Sequence, residues 1–273
     1  MDRIDLKYPV LLVHGMGFRD YKHIGYWGRI PKALERAGCK VYFGNQDSNG
    51  TIEDNGRFLA DRIREIIEMS GAEKLNVIAH SKGGLDIRYA ISTLGMAPYI
   101  ATLTTVSTPH NGSYTMDRIM RLPRWINRFI AGCSDLWLRI LGDKEPNAYR
   151  VFESFTTGYA ERFNRENPDA PGVYYQSYAF TYTTPFSDVT EWFPHFVVKC
   201  IEGENDGLLT PRAVEWGNFR GVYTGTTHRG ISHADEIDLR RRPFSKKPGG
   251  ERQISDIVDF YLGVARELAE MGY

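Results

Sequence analysis

The sequence predicts an α/β fold: a central, mostly parallel sheet flanked by helices, with one helical insertion. Three observations carry this. Short apolar runs alternate with stretches of helical periodicity from Val10 to Val106. Glycine or proline punctuates several of these elements. From residue 113 to about 167 no strand pattern is convincing and amphipathic helix takes over. A strand–helix succession of this kind implies a parallel sheet covered on both faces.

Each element has its own signal. Val10 to Val13 is a buried-strand run that ends in Gly15 and Gly17. Tyr26 to Ala37 reads as a helix stopped by Gly38, and Cys39 to Phe43 as the next strand. Asp54 to Met69 carries Phe58, Leu59, Ile63, Ile66 and Ile67 at helical spacing, with Gly71 beyond. Leu75 to Ala79 is a strand, Leu85 to Leu94 a helix, and Leu103 to Val106 a strand closed by Thr108-Pro109. Inside the insertion, Trp125, Ile126, Phe129 and Ile130 share one helical face with Arg121, Arg124 and Arg128 around it; Leu136, Trp137, Ile140 and Leu141 repeat the pattern. Such an insertion is expected to act as a cap or lid. Strands are expected again at Val173 to Thr181 and Phe196 to Ile201, and a last helix from about Ser255 to Met271.

The chain of 273 residues reads as one domain, 1–273, with the insertion at about 113–167. A chain of this size buries roughly 75% of its unfolded surface, so it needs no disulfide or metal to fold. Lys+Arg and Asp+Glu both number 34, which speaks against nucleic acid as a partner. Cys39, Cys133 and Cys200 match no zinc spacing and are odd in number, as expected of reduced thiols. The opening Met-Asp-Arg-Ile-Asp lacks a secretory apolar stretch, so the expected location is cytoplasmic, or secreted if a leader has been removed. No apolar run reaches the length of a membrane span.

The chemistry concentrates in four places. Ala79-His80-Ser81-Lys82-Gly83-Gly84 lies between a strand and a helix. A tight turn there holds its middle residue strained at the sheet's carboxyl edge, and small neighbours relieve the crowding. Ser81 is therefore the candidate nucleophile; an N-capping serine would read the same way in isolation. Val13-His14-Gly15-Met16-Gly17 follows the first strand, so the backbone N–H groups of Met16 and Lys82 are candidates for an oxyanion hole. Asp206, in Asn205-Asp206-Gly207, is the candidate acid, expected at a strand's carboxyl end, although Asp-Gly also makes ordinary turns. Of seven histidines, His14, His80 and His110 sit inside other motifs, and His23 and His195 have no evident tie to the site. His228 and His233 remain for the base, and His233 is favoured because it stands shortly before Glu236 and the helical tail. The order serine, aspartate, histidine is that of α/β-hydrolases.

Taken together, Tyr8 to Met16, Ala79 to Gly84, Ser107-Thr108-Pro109-His110-Asn111-Gly112-Ser113, Glu204 to Leu208 and Ser232 to Asp235 resemble the bacterial triacylglycerol lipases of the α/β-hydrolase fold, in order from about Tyr8 to about Asp238. The resemblance implies hydrolysis of lipid or small esters through Ser81, Asp206 and His233, with no cofactor in the chemistry and transient contact with a lipid interface. It also implies a structural calcium, which many of these lipases hold partly through an acid two residues after the histidine. Asp235 stands there, Asp188 is the candidate second carboxylate, and a solvated acidic loop is the alternative. The zinc-bearing insertion of one branch is not found, so no zinc is expected. The competing readings are a short-chain carboxylesterase or acyltransferase with a fixed cap, and a ligand binder without turnover.

Overall fold

The computed structural model describes residues 3–17, 25–184, 188, 191–247 and 249–273. Seven strands form its sheet: β1 (Val10–Val13), β2 (Val41–Phe43), β3 (Leu75–His80), β4 (Ile100–Val106), β5 (Tyr174–Phe180), β6 (Asn218–Gly225) and β7 (Gln253–Ile254). They lie in the order β2-β1-β3-β4-β5-β6-β7 and every pairing is parallel. All carboxyl ends therefore share one rim.

Alternation along the strands sends side chains to two covering layers. Leu12, Ile78 and Val106 pack with α1 (Ile30–Arg36) and α10 (Ile257–Glu270) through Leu34, Leu262 and Leu268. Leu11, Val77 and Leu103 pack on the other face with α2 (Ile52–Ser70) and α3 (Gly83–Ser92) through Leu59, Ile63 and Ile87. The ends of α2 follow capping rules: the Asp54 N–H donates to the Thr51 hydroxyl, and Gly71 closes the helix at φ +66°.

Beyond β4 the chain makes four helices before returning to the sheet: α4 (Tyr114–Met120), α5 (Arg124–Ile140), α6 (Ala148–Ser154) and α7 (Thr157–Glu166). The two amphipathic stretches around Trp125 and Trp137 are one continuous helix, α5. It buries only a narrow strip through Asn127, Ala131 and Leu138. Its apolar side faces outward, with Trp125, Phe129 and Ile140 about 70% exposed or more (72%, 70% and 70%). Hydrogen bonds pin the connection between α5 and α6: Asp143 accepts from the Ser48 and Asn49 N–H groups, and the Asn147 N–H donates to the Asn49 carbonyl.

The segment expected as a strand at Phe196 to Ile201 is instead part of a helix, α8 (Trp192–Ile201). Phe196-Val197-Val198 is too short an apolar run to separate strand from helix. Burial shows why helix wins: His195 and Val198, three apart, face inward, while Phe193 and Phe196 face solvent. A short helix, α9 (Pro211–Val214), leads into β6, and β7 is too brief to leave a sequence pattern.

Candidate active site

Ser81 follows the last residue of β3, and its φ of +52° places it in the left-handed region, where a non-glycine residue is strained. Three hydrogen bonds hold the turn: Ser81 N–H to the Val106 carbonyl at 2.9 Å, Gly84 N–H to the Ser81 carbonyl at 3.1 Å, and the Thr108 hydroxyl to that same carbonyl at 2.8 Å. The Thr-Pro-His-Asn-Gly segment thus buttresses the elbow. Two glycines let the first loop approach. A methyl on Gly15 would come within 2.8 Å of the Ser81 Cβ, and one on Gly83 would strike the His14 carbonyl oxygen.

His14 fixes that first loop. Its ring contacts the Gly15 and Gln46 carbonyls at 2.8 and 2.9 Å, and the Gln46 amide donates back to the His14 carbonyl at 2.8 Å. Among the described residues, neither the Met16 N–H nor the Lys82 N–H is used in a backbone hydrogen bond. Lys82 has a further anchor, because its buried ammonium meets both Asp86 carboxylate oxygens at 2.8 Å.

Asp206 follows α8 rather than a strand. It still reaches the sheet's carboxyl rim, because the Tyr182 N–H, just past β5, donates to the Asn205 carbonyl. Its Oδ1 accepts from the N–H groups of Leu208 and Leu209, and its Oδ2 meets His233 Nδ1 at 2.8 Å. The His233 N–H donates to the Asp206 carbonyl at 2.7 Å, so the two residues are joined through both backbone and side chain. His233 lies 4.4 Å, ring to ring, from His80, the neighbour of Ser81. The Ser81 hydroxyl carries no hydrogen bond to His233; it opens onto an apolar cavity of about 310 Å³. Met16, Met116, Ile119, Phe155, Val197 and Leu208 supply much of the wall, so the insertion and α8 build most of it.

Burial alone would push the Asp206 carboxyl up; the His233 charge and hydrogen bond, with the two N–H donors, bring it below its ordinary range. Burial alone would likewise push His233 down, but Asp206 carries it above the usual histidine value. The arrangement is an ionised carboxylate orienting an imidazole that is ready to accept a proton.

A family model described as alpha/beta hydrolase fold matches residues 8–185, well over half of the chain. Triacylglycerol lipase 2 of Saccharomyces cerevisiae is 32% identical over 287 residues, covering 100% of this chain and 78% of the yeast protein. The chain belongs to the triacylglycerol lipase family of the α/β-hydrolase fold. A triacylglycerol lipase of Pseudomonas fragi is 26% identical over 307 residues, covering 99% of both chains. The solved Staphylococcus hyicus lipase shares the fold at a TM-score of 0.68 and 17% identity, covering 100% of this chain and 98% of that one. Membership makes the protein a carboxylic ester hydrolase.

Around this lipase-family site lie residues that sequence reasoning missed. His80 Nδ1 meets the Tyr26 hydroxyl at 2.8 Å and its Nε2 meets Glu236 Oε2 at 3.0 Å, both contacts fully buried. Burial, and then the nearby His233 charge, holds His80 well below its usual value. Burial, and then the Asp206 charge, holds Glu236 well above its own. Both directions favour a neutral hydrogen bond over an ion pair. Glu191 is pushed up to about 8, first by burial and with further repulsion from Asp206. None of these carries a local sequence signal; the Lys82–Asp86 pair does, since the two residues stand four apart at the start of α3.

Among the other histidines, His110 and His195 make contacts of their own, none of them to Ser81 or His233. His110 bonds Thr105 and Arg88 and stacks on Trp216. His195 stacks on Tyr182, and His228 is exposed. His23 lies outside the described residues.

Asp188 and Asp235 do approach one another, but the Arg240 guanidinium joins them. Its Nη2 meets Asp188 Oδ2 at 2.9 Å and its Nε meets Asp235 Oδ1 at 2.8 Å. Calcium takes six to eight oxygen ligands at about 2.3–2.6 Å, whereas here a guanidinium already supplies the cation that these two carboxylates meet. The residues present do not fit the metal. No helix among the described residues is long and apolar enough to cross a membrane.

Proposed function

We propose that this protein hydrolyses carboxylic esters of lipids by double displacement through an acyl-enzyme on Ser81. The observation that carries the reading is the Asp206–His233 hydrogen bond of 2.8 Å at the rim where the strained Ser81 opens onto an apolar cavity. In the first half, His233 Nε2 takes the hydroxyl proton as Ser81 Oγ attacks the ester carbonyl. Catalytic hydrogen bonds of this kind are often long in the free enzyme and tighten when substrate binds. The N–H groups of Met16 and Lys82 hold the oxyanion, a contribution of about 3–4 kcal/mol per donor in serine hydrolases. His233 then returns the proton to the leaving alcohol. In the second half, water gives its proton to His233, attacks the acyl carbon, and releases the carboxylic acid as Ser81 regains its proton. Asp206 holds Nδ1–H throughout and balances the imidazolium charge.

The lining of the cavity suits an acyl chain, and the outward apolar side of α5 suits a transient contact with lipid through a lid or cap built from residues 113–167. Arg124, Arg128 and Arg139 of α5 are exposed, as are Arg118 and Arg121 just before it. An organophosphonate ester is expected to label wild type at Ser81, with matching loss of p-nitrophenyl ester hydrolysis. Normal turnover by Ser81→Ala would sink the proposal.

A further inference from the structure

The loop that carries His233 is held from outside the triad. Within it, the Asp235 N–H meets the Ser232 hydroxyl at 3.3 Å and the Glu236 N–H donates to the Ser232 carbonyl at 3.1 Å. The Ser232 hydroxyl, next to His233 in the chain, donates to Asp188 Oδ2 at 2.6 Å. That oxygen also accepts from Arg240, whose Nε reaches Asp235. The Asp188 and Asp235 side chains are only 6% and 8% exposed, and Arg240 is 29% exposed. Two carboxylates in so dry a place repel one another and resist ionisation, so the cluster holds its shape only with a cation between them. Arg240, five residues after Asp235 in the same chain, supplies a charge that cannot titrate away and a planar fork that meets both partners.

We infer that Arg240 is a built-in substitute for a metal ion: its guanidinium clamps Asp188 to Asp235, holds the His233 loop in register with Asp206, and makes the enzyme independent of calcium. Arg240 is a positioning residue. The inference rests on His233 being the base for its effect on rate, but not for its effect on cation binding or melting.

The clamp sets the backbone course of Ser232 to Glu236. The Asp206–His233 bond is short only while that course is kept, so losing the clamp lowers turnover more than it changes substrate affinity. Removing the guanidinium also leaves a buried pair of acids with a nearby hydroxyl, a donor set of hard oxygens that suits calcium.

The test compares wild type and Arg240→Ala on a soluble p-nitrophenyl ester, each with excess chelator and with excess calcium, alongside melting temperature and terbium luminescence. Wild type is expected to show the same kcat and melting temperature in both conditions and no terbium signal. Arg240→Ala is expected to lose about tenfold or more in kcat with little change in KM, the size typical of groups that orient a ligand or base. Calcium, but not magnesium, is expected to restore most of that loss, and terbium to bind the variant. Chelator-sensitive activity or melting of wild type would overturn the inference, and this readout stands even if the variant does not fold. Wild-type kcat in the variant, or no recovery with calcium, would overturn it too. A dead enzyme whose wild type and variant nonetheless differ in terbium binding would leave the clamp standing and remove His233 as base.

Discussion

At the carboxyl rim of the sheet, His80, Asp206, His233 and Glu236 are all buried, whereas on α5 Trp125, Phe129, Trp137 and Ile140 are all exposed. One region has charge-bearing groups inside; the other has apolar groups outside. Each reverses what folding alone favours. The rim tolerates its reversal because partners satisfy most of its groups: Asp206 has the Leu208 and Leu209 N–H groups and His233, and His80 has Tyr26 and Glu236. The α5 face has no such compensation within the described chain. The difference teaches that the rim finds most of its partners within the chain, while the apolar side of α5 finds few among the described residues, which is why the proposed lipid contact is placed there.

The rim is most sharply tested by Asp206→Asn. The amide cannot fix the productive tautomer or balance the imidazolium, and the analogous change in serine proteases costs about 10⁴-fold in kcat. A loss of about 10³-fold or more in kcat on a soluble ester is expected. The pH profile sharpens this. Asp206 raises His233 above its ordinary 6.5, so the protonated ring, which cannot act as a base, persists above that pH. Wild-type kcat/KM should therefore fall on the acid side with an inflection above pH 6.5, and the inflection should move to lower pH in the variant. An unmoved inflection would mean that another group titrates there.

The α5 side is tested by replacing Trp125, Phe129 and Trp137 with serine together. Exposed aromatics contribute little to folding, so the melting temperature should hold. Each removes apolar area that an interface would bury, at about 25 cal/mol per Å². Hydrolysis of an emulsified long-chain ester should drop by about tenfold or more, while a soluble short ester keeps its rate within about twofold. An equal effect on both substrates would assign the face to cavity structure rather than to docking.

How much of the molecule was legible depends on range along the chain. The elbow and the first loop are contiguous, so strand, glycines, serine and helix announce themselves together. Asp206 and His233 could each be singled out as candidates, but their bond could not, because pattern alone says nothing of contacts 27 residues apart. The His80–Glu236 bond spans 156 residues and joins residue types that usually sit at the surface. Burial alone reveals it. Helix α8 escapes the sequence pattern because its apolar side chains serve two directions at once, Val198 toward the interior and Phe193 and Phe196 toward solvent. A sequence pattern assumes that apolar residues share one buried face. The same assumption hides the outward orientation of α5.

The smallest effect decides the most about the rim's interior. If Glu236 is a neutral acid, Glu236→Gln exchanges one neutral hydrogen-bonding group for another of nearly the same shape, and His80 keeps a partner. Turnover should then stay within about threefold and the acid inflection should hardly move, since no charge has been removed beside His233. An ionised Glu236 predicts otherwise: removing a negative charge would destabilise the imidazolium, shift the inflection to lower pH and lower kcat by far more than threefold. A carboxylic-acid band in the infrared difference between wild type and Glu236→Gln would place the proton directly on the buried acid, whose burial and nearness to Asp206 favour the neutral form.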